Sequence, residues 1–265
     1  MKIGFIGLGN MATAMIGGLL SKELVAAGDI VGSAKTEATR AKVAEKFGIA
    51  VLPTNAAVAE ESDVLFLAVK PVFFPEVIAE IKDKVKKDAL IVSIAAGKTI
   101  SYIKEQFGDA SLKVVRCMPN TPALVSEACT GVCAGEGVSK EELDMVVSLL
   151  QSFGKASVVP ERLMDVVVGV SGSSPAYVFM FIEAMADGAV AAGMPRAQAY
   201  EFAAQSVLGS AKMVLETGMH PGALKDMVCS PGGTTIEAVK VLEEKGLRAA
   251  VMDAMEACIE KSKKL

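Results

Sequence analysis

An apolar run that leads into a glycine turn and then into an apolar helix constrains the fold of this chain more than any other feature. The run is Ile3 to Ile6, and Gly7 and Gly9 follow it directly. From Met11 to Leu20 the only clearly polar residue is Thr13, so we expect this helix to be buried on most of its surface. A buried strand joined to a buried helix is typical of a parallel sheet with helices on its faces.

The spacing of Gly7, Gly9 and Ala12 matches the fingerprint G-x-G-x-x-G/A of dinucleotide-binding turns. In that fingerprint the first glycine permits a tight turn, the second lets a pyrophosphate approach the backbone, and the third small residue lets helix and strand pack closely. Free N–H groups and the positive helix end then face the phosphate. The spacing also arises by chance, so a plain strand-turn-helix unit is the alternative.

Composition indicates a soluble globular protein of one large or two ordinary domains, because 52% of the 265 residues are hydrophobic and 22% are charged. The net charge of −4 disfavours nucleic acid or an anionic membrane as the main partner. The longest uncharged run, Val166 to Ile182, contains Gly169, Gly172 and Pro175, so we do not predict a membrane span there. No leader pattern precedes the first strand, and we expect a cytoplasmic protein.

Cysteine and histidine usage argues against metal and triad chemistry. The five cysteines form no C-x-x-C pair, so we expect buried, reduced thiols and no metal site. His220 is the only histidine, which excludes a histidine cluster and leaves a Ser-His-Asp triad to His220 alone.

Strands and helices alternate over residues 1–159, which predicts a Rossmann-type, doubly wound, mainly parallel sheet. The predicted strands are Ile3 to Ile6, Asp29 to Ala34, Asp63 to Val69, Ala89 to Ile94, Lys113 to Cys117, Glu127 to Ala134 and Lys155 to Val159. The predicted helices between them are Met11 to Leu20, Thr36 to Phe47, Phe74 to Val85, Ser101 to Phe107 and Ser139 to Phe153.

Ligands of such sheets bind over the carboxyl ends of the strands. Small side chains there leave room for a flat ring, and an amide can pair with a carboxamide. Taken singly, each small or amide residue at a strand end is explained equally well as an ordinary loop residue. The strand-end candidates for the cofactor site are Ala68, Val69, Ala95, Ala96 and Asn120.

The end of the second strand favours NADPH over NADH. Its residues Ser33 to Thr36 contain no carboxylate for the ribose hydroxyls, whereas Ser33 and Lys35 offer a hydroxyl and an ammonium group to a 2′-phosphate. Lys35 is equally explained as a solvated surface charge, and Glu37 is close in sequence. We therefore predict NADPH, with NADH as the alternative.

Residues 160–265 contain no strand pattern and predict an all-helical second domain. The helices are apolar on more than one face, so we expect a surplus apolar face to pack on another subunit. The predicted helices are Ser174 to Ala192, Pro195 to Thr217, His220 to Val228, Thr235 to Lys245 and Leu247 to Lys261.

The loop before the fourth of these helices reads Ser230-Pro-Gly-Gly-Thr-Thr235. Gly232 and Gly233 expose backbone N–H groups at a helix start, which predicts a receptor for a small carboxylate. Thr235 places a hydroxyl in the first helical turn, beside that carboxylate. A threonine-capped helix after a turn is the alternative reading.

Several motifs together resemble the pyrroline-5-carboxylate reductase family, in the right order and over essentially the whole chain. The last motif, which ends in Gly-Gly-Thr-Thr, is specific to that family in a way that the glycine turn is not. The motifs are Gly-Phe-Ile-Gly-Leu-Gly-Asn-Met-Ala at 4–12, Leu-Ala-Val-Lys-Pro at 67–71, Ser-Ile-Ala-Ala-Gly at 93–97, Arg-Cys-Met-Pro-Asn-Thr-Pro at 116–122, Ser-Gly-Ser-Ser-Pro-Ala-Tyr at 171–177 and Leu-Lys-Asp-Met-Val-Cys-Ser-Pro-Gly-Gly-Thr-Thr at 224–235.

The resemblance implies reduction of 1-pyrroline-5-carboxylate to L-proline with NAD(P)H, and a helical domain that forms a homodimer, often assembled into a decamer. It implies a substrate site of Ser230, Gly233, Thr234 and Thr235, with Thr235 as the catalytic hydroxyl. The cofactor residues that it implies are Gly7, Gly9, Asn10, Met11, Asn55, Ala68, Lys70, Pro71, Ala95 and Asn120.

Two residues depart from the family pattern: Met227 and Cys229 stand where some members carry Asn and Ser or Thr. Two other functions compete with the reductase. A hydroxyacid dehydrogenase needs a Lys-x-x-Asn-Asn motif, whereas Met-Val-Leu-Glu follows Lys212. A non-catalytic NADP-binding sensor is disfavoured by the intact Gly-Gly-Thr-Thr loop.

Overall fold

The computed structural model describes residues 1–265 and contains one sheet of eight strands. The strands lie in the order β3-β2-β1-β4-β5-β6-β7-β8, and all neighbours are parallel except β6 and β7. The predicted Rossmann-type, mainly parallel sheet is therefore confirmed. The strands are Ile3–Ile6 (β1), Ile30–Ser33 (β2), Ala50–Val51 (β3), Val64–Leu67 (β4), Leu90–Ser93 (β5), Lys113–Met118 (β6), Ala128–Ala134 (β7) and Gly154–Val158 (β8).

Helices connect the strands and begin and end where the sequence supplies caps. Thr36 accepts a hydrogen bond from the Thr39 N–H at one helix start, and Gly48 ends that helix in the left-handed conformation. Ser139 and Glu142 form a capping box at the start of the helix Lys140–Leu150. The helices are Asn10–Ser21 (α1), Glu37–Phe47 (α2), Asn55–Glu61 (α3), Phe74–Ile81 (α4), Ile100–Phe107 (α5), Lys140–Leu150 (α6) and Met164–Val167 (α7).

Two elements of this region have no counterpart in the sequence-based prediction. Strand β3 has two residues and helix α3 has seven, which is too short for hydrophobic periodicity to identify either one. The predicted helix from 139 to 153 is correct up to Leu150, after which Gln151–Phe153 form a 3₁₀ turn. Gly154 follows with φ of 152°, so the chain leaves the helix at that point.

The apolar core lies on both faces of the sheet. On one face the rings of Phe5 and Phe66 stack with centroids 4.8 Å apart, and helix α1 packs there through Met15 and Leu19. Phe74 of α4 packs on the other face. Neighbouring strands are buried on both sides, which explains their continuous apolar sequences.

The chain divides into two compact units, residues Met1–Ser173 with Cys258–Leu265 and residues Ser174–Ala257. The sequence-based boundary between residues 159 and 160 marks the change from strands to helices, and it stays a prediction. The second unit is helical, as predicted. Its helices are Ser174–Ala191 (α8), Arg196–Thr217 (α9), Pro221–Val228 (α10), Thr234–Glu244 (α11) and Leu247–Ser262 (α12), of which the last ends in the first unit.

The second unit buries very little apolar surface by itself. Its only fully buried apolar residues are Ala186, Ala199 and Ala203, whereas Phe179 and Met180 are 61% and 69% exposed. By length and composition alone, the helical stretch Glu161–Ala191 is apolar enough to cross a membrane, with a mean hydropathy of 1.4. Such large exposed apolar surfaces mark contacts with another chain or a membrane.

Candidate functional site

The glycine turn after β1 has the backbone geometry that the fingerprint predicts. Gly7 has φ of 93°, which only glycine adopts readily, and its N–H donates a hydrogen bond of 3.0 Å to the carbonyl oxygen of Ser33. This bond ties the turn to the end of β2. Both residues line the same cleft at the carboxyl ends of the strands.

Helix α1 begins in this cleft without a side-chain cap. Gly9 is the N-cap residue, and a β-carbon there would have no neighbour within 4 Å. Asn10 is the first helical residue, and the first turn contains no acidic side chain. The amino end of the helix therefore presents free N–H groups and its positive dipole to the cleft, as phosphate binding requires.

The cleft has a volume of about 840 Å³ and lies between β1, β2 and β4 where the strand order reverses. Most of the predicted cofactor residues line it. Those in the cleft are Gly7, Gly9, Asn10, Ser33, Lys35, Asn55, Ala68, Val69 and Lys70. Those outside its lining are Met11, Ala12, Pro71, Ala95, Ala96 and Asn120, and their role at the cofactor stays a prediction.

Two of the residues outside the lining have packing roles. Ala12 is 1% exposed and lies between α1 and the sheet, where the fingerprint requires a small residue. The Asn120 side chain is buried and holds two backbone segments, because its Nδ2 donates to the Ser171 carbonyl and its Oδ1 accepts from the Cys129 N–H, both over 2.9 Å.

Cations from α2 line the cleft and were missed by the sequence analysis. The Arg40 guanidinium donates to the carbonyl oxygens of Ala34 at 2.8 Å and Lys35 at 3.4 Å. Lys35 itself lies 5.9 Å over the ring of Phe73. The helical spacing of positions 36, 39, 40 and 43, all in the cleft, is the signal that would have found Arg40.

A hydrogen-bonded row of three side chains crosses the cleft from β2 to α4. Ser33 Oγ donates to Asn55 Oδ1 over 2.7 Å, and Asn55 Nδ2 donates to Glu80 Oε2 over 2.6 Å. The Asn55 N–H also donates to Glu80 Oε1 over 3.2 Å. Glu80 was missed because it is on helix α4 and reaches the cleft only through tertiary packing.

The loop from Ser230 to Thr235, predicted to receive an anion, precedes α11 in the second unit, and its role stays a prediction. Gly232 has φ of 68°, and the Gly233 N–H donates to the Ser230 carbonyl over 3.0 Å. Gly233 is the N-cap of α11 and no side chain caps this helix, so the N–H groups of its first turn are available. Thr234 is the first helical residue and is exposed, and Thr235, in the same turn, is half-buried.

His220 and the cysteines have no catalytic arrangement. His220 caps α10, since its Nδ1 accepts a hydrogen bond of 3.0 Å from the Gly222 N–H. All five cysteines are unpaired. Burial raises the pKa of the Cys117 thiol, and burial with the nearby Glu161 carboxylate raises the pKa of Cys133 to about 11, so both remain thiols at neutral pH.

Comparison with known proteins matches both the N-terminal and the C-terminal parts of the chain to described families. The family model described as pyrroline-5-carboxylate reductase dimerisation matches residues 161–265, and the model described as NADP oxidoreductase, coenzyme F420-dependent, matches residues 2–97. A pyrroline-5-carboxylate reductase of Escherichia coli (strain K12) is 55% identical over 264 residues, covering 100% of this chain and 98% of the relative.

Two solved structures are similar over nearly their full lengths. A pyrroline-5-carboxylate reductase from Coxiella burnetii has a TM-score of 0.92 at 34% identity, covering 99% of this chain and 97% of that one. The Plasmodium falciparum pyrroline carboxylate reductase with NADP bound has a TM-score of 0.90 at 31% identity, covering 100% and 97%. On this identity and coverage, the chain belongs to the pyrroline-5-carboxylate reductase family.

Proposed function

We propose that this chain reduces 1-pyrroline-5-carboxylate to L-proline, the last step of proline biosynthesis, with NADPH as the hydride donor. Family membership over the full length of the chain carries the proposal. It also removes the hydroxyacid dehydrogenase alternative, since the Lys-x-x-Asn-Asn motif of those enzymes is absent from this sequence. In this function, the residues of the cleft bind the cofactor and the residues of the loop bind the substrate.

The cleft residues fit a dinucleotide. A methyl group at Gly9 would project into open space rather than into protein, so the glycine is explained by a ligand that approaches the backbone. The N–H groups of Asn10 and its neighbours would hold the pyrophosphate, and Lys35 and Arg40 would hold a 2′-phosphate. NADPH, when bound, supplies the hydride.

The loop of the second unit is proposed to bind and polarise the substrate. The uncapped N–H groups of Thr234 and Thr235, in the first turn of α11, hold its carboxylate without any cationic side chain, and this fixes the orientation of C5. The Thr235 hydroxyl donates a hydrogen bond to the imine nitrogen, which takes up a proton from solvent as C5 gains the hydride. Reduction of an imine needs an electrophilic carbon rather than a strong base, so no histidine is required.

A homodimer is the proposed unit of assembly. The second unit leaves its large apolar side chains exposed, and a second copy that covers them would supply the core that three buried alanines do not. A decamer built from such dimers is the further proposal from the family resemblance. The cofactor, the substrate and the unpaired thiols fit a cytoplasmic enzyme.

The test is NADPH consumption by the purified protein when 1-pyrroline-5-carboxylate is added, run in parallel with NADH. We expect nicotinamide absorbance to fall and L-proline to accumulate in equal amount. If the protein binds NADPH but oxidises neither NADPH nor NADH, its function would instead be that of the non-catalytic NADP-binding sensor. Sedimentation of the same sample tests the dimer, since a detergent-free monomer would contradict it.

A further inference from the structure

We propose that Glu80 is a positioning residue that weakens the preference of the cleft for NADPH over NADH. It acts through Asn55 on the hydroxyl of Ser33. The proposal rests on the proposed function only in that the cleft binds a nicotinamide dinucleotide. Membership of the reductase family does not by itself imply this role of Glu80, and the effect on cofactor binding is measured without substrate.

The hydrogen bonds from Glu80 fix the orientation of the Asn55 amide. A carboxylate only accepts hydrogen bonds, so the two Asn55 groups that face Glu80, the backbone N–H and Nδ2, must both be donors. The other end of the amide, Oδ1, then faces Ser33. Because Oδ1 only accepts, the Ser33 hydroxyl must donate its single proton to Asn55.

This fixed direction limits what Ser33 can offer a ligand. Its proton is committed to Asn55, so its Oγ presents only lone pairs to the cleft. A ribose 2′-hydroxyl can donate to such an oxygen, whereas a 2′-phosphate has no proton to give at neutral pH. Ser33 ends β2, the position from which this fold contacts the adenosine ribose. The hydrogen-bonded row from Glu80 to Ser33 therefore favours NADH. The cationic side chains of Lys35 and Arg40 favour NADPH.

Charge acts in the same direction, so the experiment must separate the two effects. Glu80 and Glu76 both come from α4 and both line the cleft that holds Lys35 and Arg40. Either carboxylate opposes a phosphate at long range. Only Glu80 bonds to Asn55, which makes Glu76 the matched control one helical turn away.

Glu80→Gln is the decisive variant. A glutamine amide can donate to Asn55, which lets the Asn55 amide reverse and frees the Ser33 proton for a phosphate. We expect the ratio of Kd for NADH to Kd for NADPH to rise about three- to tenfold, the effect of one hydrogen bond. Glu76→Gln should change the ratio less than about twofold. Glu80→Asp keeps the charge but shortens the side chain, and we expect it also to raise the ratio.

The measurement is titration of the intact protein with each cofactor, followed by nicotinamide fluorescence. Ser33→Ala gives a second test, because Glu80→Gln added to it should change the ratio no more than Glu76→Gln does. An unchanged ratio in Glu80→Gln, an equal change in Glu76→Gln, or a full effect of Glu80→Gln in the Ser33→Ala background would each overturn the proposal. A shifted ratio in a protein that reduces no imine would instead refute the proposed function alone.

Discussion

A β-carbon on Gly7 would lie 2.7 Å from the carbonyl oxygen of Ala68, closer than two such atoms approach in proteins. The two residues directly follow the neighbouring parallel strands β1 and β4, and the turn after β1 passes directly against the backbone after β4. The neighbouring Val69 side chain adds a second contact at 2.9 Å. Gly7 is therefore required by the protein itself, before any ligand binds.

Gly7→Ala should destabilise the fold. The variant would have both a left-handed backbone conformation and a clash with backbone atoms that cannot rotate away. We expect the free energy of unfolding to fall by at least about 1–2 kcal/mol, the strain of the left-handed region alone. Urea denaturation of the two proteins measures the difference, and equal midpoints would contradict the steric explanation.

Gly9→Ala is the matched control for Gly7→Ala, because it should leave stability unchanged and weaken cofactor binding. Its β-carbon meets no protein atom within 4 Å, so stability should stay within about 0.5 kcal/mol of the original chain. The methyl group instead occupies the space in front of the α1 N–H groups, and NADPH affinity should fall about tenfold or more. Fluorescence titration tests this expectation. Unchanged affinity would mean that the pyrophosphate does not approach the turn.

These two glycines also show what the sequence can predict. The fingerprint and the alternation of elements predicted the fold and the glycine turn that lines the cleft, because both depend on local spacing. Arg40 was missed although its helical spacing from Thr36 indicates it, whereas Glu80 approaches the cleft only through tertiary packing of α4. The short β3 and α3 were missed for a different reason: a two-residue strand has no periodicity.

Thr235→Ala should lower kcat by about 10- to 1,000-fold while NADPH binding stays intact, because one positioned donor to the reacting nitrogen is lost. The helix start and its N–H groups are unaffected, since Gly233 and not Thr235 is the N-cap of α11. Thr235→Ser keeps the hydroxyl and is the control, expected to retain most of the turnover. Near-normal turnover in the alanine variant would remove Thr235 from the mechanism.

Asp63 should make stability depend on pH in the acid range. The Lys86 ammonium, 2.7 Å from Oδ1, and the Lys2 N–H, 2.8 Å from Oδ2, lower the pKa of its carboxyl below the ordinary value of 3.8. A carboxyl with a lowered folded pKa stabilises the protein above the unfolded pKa, and this contribution is lost as the pH falls through the folded pKa.

Asp63→Asn should therefore be less stable than the original chain at about pH 7, and the difference should shrink as the carboxyl becomes protonated. Asp63 is partly exposed, so screening by salt keeps the difference small. Asp83→Asn changes the net charge equally and is the control, expected to have less effect. A difference between Asp63→Asn and the original chain that is constant with pH would contradict the assignment.

Thr130→Val should stabilise the first unit. Thr130 is 1% exposed in β7, and its Oγ1 has no hydrogen-bond partner. Valine has nearly the same shape, so it would remove the desolvated hydroxyl without leaving a cavity, and we expect the free energy of unfolding to rise by about 1 kcal/mol. Thr130→Ser, which keeps the hydroxyl and loses the methyl group, should instead destabilise the protein. Urea denaturation separates the two, and a less stable valine variant would show that the Thr130 hydroxyl has a partner in solution.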